Sequence, residues 1–198
     1  MKAFEFGHRL IDSYARFSRS FSTIRSQDLK AEIDRQYDAG RFWPDALLSI
    51  NPRFLQGPTV DELVASGDLD EATGRIFRFG TTPLRFHRHQ AQSIAKARAG
   101  QSYVVTTGTG SGKSLCFFVP VVDAIVRARK AGKPRRTSAI IVYPMNALAN
   151  SQINEIEKFI SQSGLSSDIK PVVRRYTGQE NPEERRRIAD NPPDILLT

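Results

Sequence analysis

Apolar positions change their rhythm along this 198-residue chain. Through the first eighty residues they recur at helical spacing. Leu10, Tyr14, Phe17 and Phe21 follow an i, i+4, i+7 pattern beside Ile11, with arginines between them. Leu29, Ile33 and Tyr37 predict a second helix capped by Ser26 and ending near Gly40. Phe42-Trp43-Pro44 and Asn51-Pro52 interrupt the pattern around an aromatic anchor. Thr59 before Asp61, Glu62, Leu63 and Val64 predicts a short capped helix, broken at Gly67. Another helix is predicted from Leu69 to Phe79, and Gly80-Thr81-Thr82-Pro83 reads as a hinge.

Beyond the hinge, helices alternate with short apolar runs. A helix through Ile94 and Ala97 closes at Gly100, and Tyr103-Val104-Val105-Thr106 predicts a short buried strand. Leu115, Phe117, Phe118, Val121, Val122, Ile125 and Val126 fall at helical spacing up to Gly132, and Pro120 should remove one backbone bond and bend this helix slightly. Ser138 to Tyr143 is a continuous apolar run, typical of a strand covered on both faces. Asn146 can cap the next helix, with its Ala149, Ile153, Ile156 and Ile160 stripe ending at Gly164. Pro171 to Tyr176 predicts a third strand, closed by Thr177-Gly178. Asn181-Pro182-Glu183-Glu184 starts a helix, and Asp194 to Thr198 is a fourth strand after Pro192-Pro193. This alternation predicts an α/β fold with a parallel sheet and right-handed crossovers, preceded by a small, mostly helical N-terminal region. The expected division is residues 1–80 and 81–198.

Charge separates the same two parts. Residues 1–84 carry 11 Lys/Arg against 12 Asp/Glu, a balance of −1. Residues 85–198 carry 18 against 9, or +9, so the whole excess of +8 lies on the α/β part. A polyanionic partner for that part is the natural inference, with a solvated basic face as the bland alternative. The aromatic and arginine mixture from Tyr14 to Arg25 could touch nucleic acid or simply pack. A single cysteine, Cys116, excludes a disulfide framework, suits a reducing cytoplasm and reads as a small core residue. No apolar run approaches the roughly 20 residues of a membrane span. The N-terminus has no apolar signal segment.

Candidate chemistry concentrates between the second unit's first strand and its long helix, at Thr107-Gly108-Thr109-Gly110-Ser111-Gly112-Lys113-Ser114. Strand, glycine-rich turn, lysine and helix together predict a phosphate-binding loop. Backbone N–H groups must close around phosphate oxygens, so the turn needs residues without Cβ or with φ > 0. The helix N-terminus adds partial positive charge, Lys113 adds a full one, and the Ser114 hydroxyl can ligate Mg²⁺. The strict pattern has Gly at the first position, where this chain has Thr107. Gln90 lies 23 positions before Lys113, one helix and one strand away. Its carboxamide, donor and acceptor together, could read an adenine edge or could be an ordinary helix-start residue. His87 and His89 lack a Cys or acidic cluster at ligand spacing, so no metal site is predicted on them. In parallel sheets ligands collect at the C-terminal strand ends. The phosphate loop, Pro144 to Asn146, Thr177-Gly178 and Thr198 all occupy that edge.

The order of these motifs resembles the first motor domain of DEAD/DEAH-box helicases of superfamily two. Thr107 to Ser114 resembles the family's first motif, and Gln90 matches its upstream adenine-reading glutamine. Pro144 to Gln152 resembles the Pro-Thr-Arg-Glu-Leu-Ala-x-Gln motif, with Met145 and Asn146 in place of the polar and basic residues. Thr177-Gly178 matches the next Thr-Gly pair, and Ile195 to Thr198 matches the strand ending in threonine. The resemblance covers roughly Leu84 to Thr198 and implies a partial RecA-like P-loop domain. It implies ATP and Mg²⁺ as cofactors, Lys113 and Ser114 as catalytic residues, and Gln90 with Thr107 to Ser114 as the ATP site. It further implies that Pro144, Asn146, Thr177, Gly178 and Thr198 contact a single nucleic-acid strand, DNA before RNA. The wording of Pro-Met-Asn-Ala-Leu-Ala-Asn and Asp-Ile-Leu-Leu-Thr is most similar to the DNA-repair and phage-defence branch.

The family's Asp-Glu-x-His/Asp motif is expected after the strand ending at Thr198 and does not occur in these residues. The resemblance therefore implies the N-terminal part of a longer motor, inactive by itself, with residues 1–80 as an accessory region open to other proteins. Two rival classes stay in view. A P-loop kinase or small-molecule ATPase leaves Thr177-Gly178 and the +9 unit unexplained. A module that binds nucleic acid with nucleotide but without hydrolysis fits these residues more closely.

Overall fold

The computed structural model describes residues 3–21, 23–40 and 54–198, and the chain divides into two units between Pro52 and Arg53. The first unit holds α1 (Ala3–Arg19) and α2 (Gln27–Asp38). Ser26 stands at the N-cap of α2 but makes no side-chain cap bond. Arg19 lies 4.5 Å over the Tyr37 ring and pairs with Asp38 at 2.9 Å. The α1 stripe is not the packed core that its rhythm suggests, because Tyr14, Phe17 and Phe21 all remain exposed. The predicted breakers Phe42-Trp43-Pro44 and Asn51-Pro52 lie outside the described residues.

The second unit opens with β1 (Gln56–Thr59), α3 (Val60–Ala65), α4 (Glu71–Ile76), β2 (Arg78–Phe79) and β3 (Thr82–Pro83). It continues with β4 (Arg85–His87), α5 (Arg88–Arg98), α6 (Leu115–Lys130), β5 (Ala139–Ile141) and α7 (Asn146–Gln162). It closes with β6 (Val173–Arg175), α8 (Pro182–Asp190) and β7 (Ile195–Leu197). The Thr59 cap forms as predicted, a reciprocal capping box with Glu62.

The boundary expected at residue 80 is corrected by packing. Val60, Leu63, Leu69, Ile76 and Phe77 share one core with Phe118, Val122, Ile156 and Ile195. Phe77 is fully buried and packs on Phe159 of α7, ring centroids 5.5 Å apart. An aromatic that large is stabilised only by a core, and the α/β unit supplies it. The helix predicted to Phe79 stops at Ile76, and the hinge is a hairpin turn. Arg78 pairs with Pro83 and Phe79 with Thr82, around Gly80 at φ 60.

The sheet is parallel, in the order β5-β7-β6. Ala139, Ile195 and Val173 align at one end, and Ile141, Leu197 and Arg175 at the other. Tyr103 to Thr106 do not form the predicted strand, and Val104 is 88% exposed. An apolar run becomes a strand only where a neighbour takes its N–H and C=O groups, and no ladder partner exists for this run among the described residues. Likewise β5 is an edge strand with one bare face, Ile140 and Val142 being exposed, rather than covered on both.

α6 continues past Pro120 without a break in the helix. Proline lacks the N–H that would reach the Cys116 carbonyl. The Tyr103 hydroxyl donates to that carbonyl instead, at 2.6 Å, which ties the segment before the phosphate loop to the helix after it. Cys116 is fully buried, and burial pushes its thiol up, as befits a core residue. Asp123, also buried in α6, accepts from the Asp70 N–H at 2.7 Å, the Thr73 hydroxyl at 2.8 Å and Arg127 Nε at 2.6 Å. Among the described residues no helix is long and apolar enough to cross a membrane.

Candidate nucleotide site and nucleic-acid edge

Glycines shape the loop ahead of α6. Gly110 and Gly112 take φ 76 and φ 68, a region closed to most L-residues. A Cβ on Gly112 would lie 2.5 Å from Gln90 Nε2, whereas Gly108 and Gly110 have no atom within 4 Å of theirs. The loop is thus braced on one side and open on the other. Thr107, where the strict pattern has Gly, contributes a bond of its own: its hydroxyl lies 2.6 Å from that of buried Ser111.

Lys113 Nζ donates to the Thr107 and Gly108 carbonyls at 2.9 and 2.8 Å. The Ser114 hydroxyl donates to Gln152 Oε1 at 2.6 Å. Among the described residues, no backbone N–H from Gly108 to Ser114 donates to a protein acceptor. An uninterrupted row of unused donors beside an ammonium and a helix start is a donor set for polyanionic oxygens.

Gln90, 2% exposed, braces the loop. Its Oε1 accepts the His87 N–H at 2.7 Å, and its Nε2 donates to Gly112 O at 2.8 Å. Both ends of the amide therefore bond backbone groups, the N–H of the α5 N-cap residue His87 and a carbonyl of the loop. His89 Nε2 lies 3.0 Å from Ser111 O. The His87, His89 and Phe54 rings cluster beside it, with centroids 5.3 to 5.6 Å apart.

The chemistry of this donor set fits a polyphosphate. It fits Mg²⁺ only as a cation shared with the phosphates. Among the described residues no group of three or more His, Cys, Asp or Glu side chains could hold a metal by itself, and Mg²⁺ is commonly bound through few protein ligands plus substrate phosphates. Thr107, Thr109, Ser111 and Ser114 carry the loop's side-chain oxygens.

The other predicted residues follow the C-terminal ends of the three strands. The Tyr143 N–H donates to Thr198 O, and the Tyr176 N–H to Leu197 O, both at 2.7 Å. This holds the segments after β5, β6 and β7 side by side. Pro144, Met145 and Asn146 are exposed just beyond β5. Asn146 is not the helix cap: Met145 is, in extended backbone, and no side chain bonds the helix start. Gly178 is exposed, and Thr198 half-buried.

Thr177 is buried and turned inward. Its N–H and its hydroxyl both donate to Glu180, the hydroxyl at 2.9 Å, and Arg175 bonds the same carboxylate. Burial pushes the Glu180 carboxyl up, but the Thr177 and Arg175 bonds outweigh it and hold it below its ordinary value. Thr177 thus shapes the loop that presents Gly178. Glu180, just after Thr177-Gly178, is a contact that motif matching misses, and Gln152 is matched as the last residue of its motif while its bond to Ser114 is visible only in the structure.

Comparison with known proteins gives the family and the fold. The family model for DEAD/DEAH box helicases matches residues 87–198. The chain is 30% identical over 119 residues to the ATP-dependent helicase HRQ1 of Saccharomyces cerevisiae, covering 57% of this chain and 10% of that protein. It is 34% identical over 103 residues to the ATP-dependent rRNA helicase SPB4 of Chaetomium globosum, covering 50% and 15%. Among solved structures, the DUF1998 helicase MrfA bound to DNA superposes with a TM-score of 0.56 at 26% identity, covering 75% of this chain and 18% of that one. The α/β unit has the RecA-like fold of these helicases. The chain spans only a small fraction of their length.

Proposed function

We propose that this chain, which belongs to the DEAD/DEAH box helicase family, supplies the ATP-binding part of a nucleic-acid motor whose track is a single DNA strand. The observation that carries the proposal is the row of unused N–H groups from Gly108 to Ser114 at the head of α6. Those groups would hold β- and γ-phosphate oxygens, and Lys113 would leave its loop carbonyls to neutralise their charge. Ser114 would hold Mg²⁺, which supplies charge neutralisation at the transferring phosphate. Gln90 would act on ATP by fixing the loop that binds phosphate. Pro144, Asn146, Gly178 and Thr198 would face the strand, and Thr177 would keep Gly178 in place. DNA is chosen because the superposed helicase MrfA is bound to DNA. The functional unit would include residues 54–80, which pack with it, and the α1–α2 pair would be an accessory region contacting other proteins.

The test is a fluorescence titration of this chain with labelled single-stranded DNA and RNA of one sequence, across a salt series. DNA should bind weakly but more tightly than RNA, with log K falling linearly with log[salt], because cation–phosphate contacts release counterions. Salt-independent binding would remove the electrostatic argument, and tighter RNA binding would reverse the choice of track.

A further inference from the structure

We infer that Gln152 is a positioning residue of the nucleotide site, which accepts the hydrogen bond of the Ser114 hydroxyl and so aims that oxygen's lone pairs at a divalent cation. The inference rests on the nucleotide-binding reading above and adds to it a residue outside the phosphate loop. A serine hydroxyl has one proton and two acceptor lone pairs. Left free it rotates, and as a neutral oxygen it is a modest ligand for a hard cation. Here the proton is committed to Gln152 Oε1 at 2.6 Å, a short O–H···O bond. Among the described residues no donor is bonded to Ser114 Oγ, so both lone pairs stay available. An acceptor for a ligand's proton raises the ligand's basicity and fixes its direction.

The acceptor stands on a rigid support. Gln152 projects from α7, whose Ala149, Ile156 and Ile160 are buried in the core. Two residues earlier, Asn150 Oδ1 accepts from Arg175 Nη1, which pins the same turn to the end of β6. Glu180 secures Arg175 from the other side. Gln152 is therefore held by packing and by a neighbouring polar contact, as a group that orients another must be. Its bond spans 38 positions of sequence and joins the loop to the helix that opens with exposed Asn146.

A purely structural tie between α7 and the loop would behave differently, and ATP affinity measured with Mg²⁺ and with EDTA separates the two. Gln152→Ala should leave affinity in EDTA unchanged and shrink the gain conferred by Mg²⁺ about tenfold, the usual scale for losing such a supporting partner. Gln152→Glu, which can only accept, should keep that gain. In a Ser114→Ala background, Gln152→Ala should change nothing further. An undiminished Mg²⁺ gain in Gln152→Ala would overturn the inference, and so would equal losses in both media, which mark a tie that is only structural. If the unsubstituted chain fails to bind ATP in either medium, the nucleotide-binding reading itself falls, and this inference with it.

Discussion

Lys113→Ala is expected to lower ATP affinity by about 10- to 100-fold while leaving the fold intact. The magnitude follows from the bond type: a hydrogen bond to a charged group contributes about 1.5–3 kcal/mol, and about 1.4 kcal/mol is tenfold in affinity. The Lys113 ammonium is held by two carbonyl oxygens of its own loop, at 2.9 and 2.8 Å, and among the described residues by no carboxylate. Those carbonyls satisfy it without ligand, against the unfavourable start of α6, yet they are weaker partners than polyphosphate. Phosphate should therefore draw the lysine across. Removing the side chain frees the carbonyls of half-buried Thr107 and exposed Gly108 at the chain surface, so folding should be little affected. Calorimetric titration of both proteins, with circular dichroism as the folding control, measures the effect. Equal affinities would remove Lys113 from the site.

Asp194→Ala should cost about 3–5 kcal/mol of stability, the range for breaking a buried ion pair by removing one partner. Asp194 is 1% exposed. Its carboxylate accepts from Arg129 at the end of α6 and from the Val172 N–H at 2.9 Å, and Arg135 lies 3.5 Å away. Its backbone carbonyl accepts from Ser138 and Ala139 at the start of β5. One residue thus joins α6, β5, β6 and β7 at the end of the sheet opposite the phosphate loop. Truncation leaves the Arg129 guanidinium, itself 8% exposed on its side chain, without its countercharge. A domain has only about 5–15 kcal/mol to lose. The urea midpoint should fall steeply, and any loss of ATP affinity should track the unfolded fraction. An unchanged midpoint would refute the assignment of this pair as the anchor of that edge.

What the sequence discloses and what it hides divide along local and non-local lines. The phosphate loop is legible because its constraints are local: glycines at positive φ, Lys113 and Ser114 before an apolar helix. The Thr59 and Asn181 caps are legible for the same reason, each needing only a donor three residues on. Tyr103 to Thr106 misleads because apolarity does not reveal whether a strand has neighbours. The unit boundary misleads because charge changes near residue 84 while packing changes at Pro52. Phe77 and Leu69 are apolar in either division, and only the core containing Phe118 and Phe159 decides where they belong. Asn51-Pro52, a breaker in the sequence pattern, is the signal that lies nearest the observed boundary.

The polar anchors were legible only as anomalies. Asp123 is a lone acid within Val121-Val122-Asp123-Ala124-Ile125-Val126, and Asp194 stands between Pro192-Pro193 and Ile195-Leu196-Leu197. A charge in such company needs a partner, but the pattern does not say which. Gln90 shows the converse. Its place near the loop is evident from spacing, whereas its use as a backbone brace depends on Gly112 lying against it. Thr177 likewise matches a motif by identity, and its inward turn depends on Glu180.

Hydrogen exchange of the backbone amides from Gly108 to Ser114, with and without Mg²⁺ and ATP, tests the central claim most directly. These amides have no protein acceptor among the described residues, so in the free chain they should exchange fast, and ATP should slow them as phosphate oxygens accept their hydrogen bonds. Slowed exchange across this stretch, with the interior amides of α6 unaffected, is the predicted result. Exchange at these amides that stays fast at saturating ATP would contradict the phosphate loop itself.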